Sequence, residues 1–314
     1  MTQAPLAPDE GTWLVGALIA VDRLVVSTGL LVLLGGAGFV AVARLPTPAW
    51  RLTRRIEGRA WFLLQVAWWT TVLGTSAGLL LHGSPTLTIG TRFGVVWTVR
   101  ILLLLLLVAF LRAWSEREAP WTRTGAWVAV GVLAAALAVT PPLSGHAAAG
   151  PHAAAGAAVG VLHFSAAAVW FGGLVLLGTC VLPHTDEELL SALPRFSSVA
   201  FSAMVVTVVT GILQGWRQLG GVQGVGDSGY GRLLAAKVAV FVVLIAVAGR
   251  SRVLVRHRLT ARALVGAATH PGGEDADARS LWLLRRLVLA EIATAIVVLA
   301  ITALLGIATP PSAA

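Results

Sequence analysis

The sequence predicts an all-α fold, a polytopic transmembrane helix bundle of about eight spans with both termini outside. Three observations predict it. The 314 residues are 57% hydrophobic and 12% charged, with mean hydropathy +0.85, against roughly 25% charged in a soluble domain. Several apolar runs exceed the roughly 18 residues needed to cross a hydrocarbon core. Most tryptophans, among them Trp61, Trp97, Trp114, Trp127 and Trp216, fall near the ends of those runs, as an interfacial aromatic belt requires.

The expected spans are 20–43, 60–82, 94–112, 124–143, 156–181, 196–219, 231–249 and 287–308. The first carries Asp22 and Arg23 near its outer end and small residues Gly35, Gly36 and Gly38 suited to close packing, as are Gly156 and Gly160 in the fifth. His82 ends the second span, and Arg100 lies inside the third. Pro141-Pro142 stops the fourth, and an uncharged Gly/Ala-rich loop over 143–155 follows with His146 and His152. The fifth span holds His163, Trp170 and Cys180, the sixth Met204, the seventh Lys237 and the eighth Glu291. Between the last two, 250–286 reads as a cytoplasmic linker, flexible over 264–280 where His270-Pro271-Gly272-Gly273 occurs. The chain divides into an N-terminal set of about four spans (1–140) and a second set of about four (141–308).

Lys and Arg counts orient the bundle. Seventeen fall on the side of loops 44–59, 113–123, 182–195 and 250–286, against four (Arg23, Arg92, Arg217, Arg232) on the other. The arginine-rich loops are therefore expected in the cytoplasm of an inner-membrane protein. The net charge of +9 is then a topology signal, with membrane lipids and not nucleic acid as the partner. Met1–Glu10 contains no basic residue, so the first span is expected to be retained rather than cleaved as a signal peptide. One cysteine excludes a disulfide framework and a CxxC motif. GxSxG, HExxH and paired intramembrane carboxylates do not occur, so no enzyme is expected.

The chemistry gathers around the fifth span. His163, Ala167, Trp170 and Leu174 follow at helical spacing, putting an imidazole and an indole on one face. His163 lies seven residues into its span, roughly 10 Å deep at about 1.5 Å per residue. A polar group there marks a functional site by default. With His82, His146 and His152 it makes four histidines in the outer third, and imidazole suits copper, zinc, iron and nickel. Arg100 and Lys237 lie deep enough to oppose a cation; they either snorkel or pair with Asp22 or Asp227, or they orient an anionic group. Glu291 is either a metal or proton site or a partner for Arg285 or Arg286.

Ser144-Gly145-His146, His163 followed by Trp170-Phe171-Gly172-Gly173, Arg195-Phe196-Ser197 through Thr210-Gly211, and Tyr230-Gly231-Arg232 with Lys237 resemble the copper resistance protein D (CopD) family, as does the last span with Arg285-Arg286 and Glu291. The likeness extends over about 141–308, whereas the first three spans match only as apolar helices. It implies copper movement toward the cytoplasm and pairing with a small periplasmic copper-binding protein of the CopC type. Met204 is the only methionine besides Met1, so histidine must carry most of the binding. Without a GxxxxGK[ST] loop no nucleotide-driven step is expected. The expected metal residues are His146, His152, His163, His82, Met204 and Glu291, with Trp170, Lys237 and Arg100 along the path. Two other readings compete: a haem-binding redox protein with His163 and His82 as axial ligands, and a copper-delivery module that does not transport.

Overall fold

The computed structural model describes residues 10–43, 54–82, 90–115, 122–145, 148, 152–183, 193–219, 228–265 and 273–308. Among them are eight helices and no strand: α1 Glu10–Ala43, α2 Arg54–Leu81, α3 Arg92–Ser115, α4 Thr122–Ser144, α5 Ala153–Leu176, α6 Leu193–Leu219, α7 Gly229–Val265 and α8 Gly273–Leu305. A π turn, Leu177–Val181, continues α5. Each expected span falls on one helix, the second and eighth ending one and three residues beyond it and the fifth continuing through the π turn. Seven helices are long and apolar enough to cross a membrane; in α4 the apolar part, Val128–Ser144, is shorter.

The helices outrun the spans. α1 begins at Glu10, α7 runs to Val265, and α8 begins at Gly273, inside the stretch expected to be a flexible linker. Apolarity ends where the hydrocarbon ends, but a helix does not have to. Arg, Leu and Ala around 250–265 are good helix formers with no need of lipid. The stop expected at Pro141-Pro142 also moves, because both prolines sit in the last turn of α4. Pro141 has no N–H for the Leu137 carbonyl, and the Thr140 hydroxyl donates to that carbonyl instead, at 2.8 Å.

α1 is the central helix. It packs along both α2 and α5 and touches α8, while α5 packs on α6 and α7 on α8. α6 and α7 make only a thin contact. In lipid no hydrophobic effect favours one apolar neighbour over another, so tight association needs small residues that let backbones meet. At the α1–α5 crossing a Cβ on Gly35 would stand 1.8 Å from the Ala168 carbonyl oxygen, and one on Gly172 would stand 2.4 Å from that of Leu31. Gly36 meets Leu64 and Leu176 closely, whereas Gly38 faces open space, so the three clustered glycines are not equivalent.

Gly35→Ala and Gly172→Ala should each force the helices apart and destabilise the bundle by about 1–3 kcal/mol, the usual cost of overpacking. Gly38→Ala should be neutral. Thermal unfolding of purified protein in detergent measures both, and equal melting temperatures for Gly35→Ala and Gly38→Ala would contradict the crossing.

Candidate metal site

Two clamps set the rotation of α5. Ala168 and Gly172 lie against α1, and Gly173 leaves room for Phe196 of α6, whose ring a Cβ there would meet at 2.7 Å. The face carrying His163, Trp170 and Leu174 is thereby turned from α1. Trp170 and Leu174 are buried and His163 is half-buried.

The His163 Nδ1 lies 3.0 Å from the Thr210 hydroxyl oxygen. That hydroxyl donates to the Val206 carbonyl of its own helix at 2.5 Å, so its proton is already committed. With that proton committed, Thr210 is an acceptor for Nδ1–H, the Thr207 carbonyl is a second acceptor beside the ring, and in this tautomer the lone pair is on Nε2. A metal-binding histidine needs this arrangement, with one nitrogen held by a neighbour and the other offered to the ion. Gly211 lies beneath the ring edge, where a Cβ would come within 3.3 Å of Cε1. The half-buried Lys237 of α7 is within electrostatic reach of the imidazole.

Below His163, α6 presents Thr207, Met204, Ala200 and Ser197 at successive helical turns. Where α6 and α7 pack thinly, a cavity of about 140 Å³ opens, bordered by Trp170, Phe201, Met204, Ser251, Arg252 and Glu291 among others. Glu291 is 3% exposed, and its Oε1 accepts from the Ser251 hydroxyl at 2.5 Å. That serine takes the place of Arg285 or Arg286, the partners weighed from sequence; Arg286 stacks over the Trp282 ring at 4.6 Å. Arg252 is occupied at the cavity edge, its guanidinium 4.0 Å over Phe201 and donating to the Ser197 carbonyl.

The other expected residues are dispersed. His82 stacks on Phe93 at 4.3 Å and pairs its Nδ1 with the Gly78 carbonyl, beyond α1 from His163. His152 is exposed before α5 with a left-handed φ of 61°, and His146 lies outside the described residues. Arg100 donates to Thr140 at 2.8 Å in the α3–α4 half, away from the His163 line. Cys180 is buried in the π turn beside Thr179. Among the described residues no three His, Cys, Asp or Glu side chains converge on a common ion position.

Sequence reasoning gave Thr210 no role beyond its place in a motif, and it missed Thr207, Ser251 and Gln214, whose buried side-chain nitrogen has no partner. The signal was there in the spacing of 197, 200, 204, 207, 210–211, 214 and 218 along one helix. It also missed Arg92, counted only for orientation. Arg92 donates to the carbonyls of Leu143 (3.0 and 2.8 Å), Ala148 (2.6 Å) and Gly145 (3.4 Å), and so ties down the chain either side of His146.

Residues 190–305 match the family model described as Copper resistance protein D. That range holds α6, α7 and α8, with Thr210, Lys237 and Glu291, and is shorter than the 141–308 of the sequence resemblance; His163 precedes it. The chain is 27% identical over 159 residues, 49% of its length, to the copper transport protein CutJ of Bacillus subtilis (strain 168), and spans 29% of that relative. No solved structure matches. Both matches cover only part of the chain, and they liken that part to the CopD family and to a copper transport protein.

Arg92→Gln should release the 143–148 carbonyls, raising amide exchange there about tenfold, since charge-assisted bonds of this kind contribute about 1.5–3 kcal/mol each before solvent screening. Hydrogen–deuterium exchange with mass spectrometry reads it; unchanged protection would show that the loop is held by something else.

Proposed function

We propose that this CopD-family protein moves a copper ion across the bacterial inner membrane, inward, along the face shared by α5 and α6. The observation that carries the reading is the His163–Thr210 pair, which holds one imidazole nitrogen and offers the other at membrane depth. His146 and His152 collect the ion at the outer mouth, where a CopC-type periplasmic protein delivers it. His163 takes it through Nε2. The ion then descends past Thr207 and Trp170 to Met204 and Glu291, which border one cavity. A thioether and a carboxylate on facing walls suit a soft cation that must be held and released again.

The charge pattern supports the inward direction. Arginine-rich ends face the cytoplasm, and a cation entering gains about 2.3 kcal/mol per charge per 100 mV of membrane potential. Uptake then needs no nucleotide. His82 and Arg100 take no part in this route; they belong to the opposite half of the bundle.

His163→Ala should abolish copper-dependent accumulation in cells while the protein still reaches the membrane, and wild-type uptake by that variant would refute the assignment. Thr210→Val should weaken copper binding by about 10–100-fold, as loss of an outer-shell partner does, with Thr210→Ser close to wild type. Isothermal titration of the purified variants measures this. Flux of copper into proteoliposomes separates transport from simple docking, since a docking module binds the ion without moving it.

A further inference from the structure

The cavity that Trp170 borders has an open side. Its floor is buried, with Trp170 and Leu174 on α5, Met204 on α6, and Val288 and Glu291 on α8. Its rim is not. Phe201 on the α6 side is 44% exposed, and Gly249 on the α7 side is exposed as well. A Cβ on Gly249 would meet nothing within 4 Å, whereas one on Gly35 or Gly172 would strike a backbone. Where α6 and α7 pack thinly, the gap between them is therefore unfilled.

The lining changes along the helices. Ser197, Ser251, Arg252 and Glu291 share one level, tied by the Arg252–Ser197 and Ser251–Glu291 bonds. Ser197 is one residue into the α6 span and Arg252 three residues from the end of the α7 span, so this level lies near the membrane surface. Ala200, Met204, Ile245 and Ala248 border the cavity about one to two turns further in, with no hydroxyl or charge among them.

A cleft that opens sideways from a bundle at this depth faces the bilayer and takes its occupant from there. One turn of another helix, about 10 Å across with its side chains, does not fit in about 140 Å³. A flexible hydrocarbon chain does, and an apolar wall offers water no partners. The polar level suits the other half of a lipid. Arg252 gives one Nη1–H to the Ser197 carbonyl and is held over the Phe201 ring, and among the described residues no carboxylate pairs with it. The rest of its planar fork is left for an anion, and a phosphate matches that geometry. Glu291 does not compete for it, because its carboxylate is turned to Ser251.

We propose that the α6–α7 cleft is a binding site for an anionic phospholipid, with one acyl chain between Phe201 and Gly249 and the phosphate on Arg252. The chain lies over Ala200, Ala248 and Ile245, and the headgroup stays at the level of Ser197. The site goes beyond the transport reading: it needs no ion, and neither Met204 nor Glu291 holds the lipid.

Native mass spectrometry of the purified full chain tests it, with the protein released from mixed micelles containing dioleoylphosphatidylglycerol or dioleoylphosphatidylcholine. Wild type should retain the glycerol lipid about fivefold more strongly, the preference expected of one cation near an anionic surface. Arg252→Gln should remove that preference while both lipids still bind, and Arg252→Lys should keep it. Gly249→Leu, which fills the cleft, should reduce retention of both lipids, and Ala248→Leu should do the same if Gly249→Leu does not fold. Gly38→Leu, in open space on α1, should leave retention unchanged. A preference that survives Arg252→Gln, or wild-type retention by the filled variants, overturns the proposal. So does a lipid-free dimer that Gly249→Leu dissociates, which would put a second copy on this face. No copper is present, so failure here leaves the His163 route standing, and failure of the uptake test leaves the lipid site standing.

Discussion

The backbone contact between α1 and α5 at Gly35 and Gly172 is the constraint from which the rest follows. Helices in lipid gain little from simply being apolar, so the energy that selects one arrangement comes from close van der Waals approach. Here the approach is close enough that neither glycine tolerates a Cβ. It joins the two halves of the bundle and fixes more than distance. Residues 168 and 172 lie on one side of α5, and 163, 170 and 174 on the other. Locking the first set to α1 turns the second set toward α6 and α7. The direction in which His163 points is thus decided by glycines that never touch it.

The same device handles polarity in both halves. A threonine hydroxyl in a helix donates to a carbonyl of its own preceding turn, and what remains is a lone pair available to another helix. Thr140 donates to Leu137, whose usual donor is lost at Pro141, and accepts from Arg100. Thr210 donates to Val206 and accepts from His163. In each case a neutral side chain holds a nitrogen group at membrane depth without adding a buried charge, so the cost of an isolated ion pair is avoided. The guanidinium and the imidazole end in different situations all the same. Arg100 is enclosed, while His163 keeps one nitrogen for a ligand.

Much of this was legible beforehand, and what was not has physical reasons. Long apolar runs announced the spans because hydrocarbon thickness sets a length. The His163–Trp170 face was visible because helical periodicity is fixed, and Met204 and Glu291, expected as metal residues, border one cavity with Trp170. Depth gives no azimuth, however. His82 lies just past the end of α2, yet α1 stands between it and His163. The helices run beyond the expected spans at Glu10, Val265 and Gly273 because hydropathy reports the solvent and not the backbone. Arg92 was read as a topological charge because nothing in sequence links it to carbonyls more than fifty residues away. Thr210 entered only as part of a motif, without a role, because hydroxyls are frequent in membrane helices and only a partner distinguishes one from the rest.

The placement of Lys237 and Glu291 bears on direction. An ammonium near an imidazole is a poor companion for a cation site, and taken alone it argues against His163 as a resting place. Taken with Glu291 the sign changes. Lys237 lies on α7 about four turns from Ser251, the residue that holds the Glu291 carboxylate, so the two charges stand at opposite ends of the α6 face. A positive ion at His163 is pushed by one and drawn by the other. Arg252, at the edge of the same cavity, stacks on the Phe201 ring and donates to the Ser197 carbonyl. Weak retention at the first position and stronger attraction at the next is what conduction requires, because a site that binds too well does not release. On the proposed route, such a charge arrangement would favour a cation leaving the His163 end for the Glu291 end.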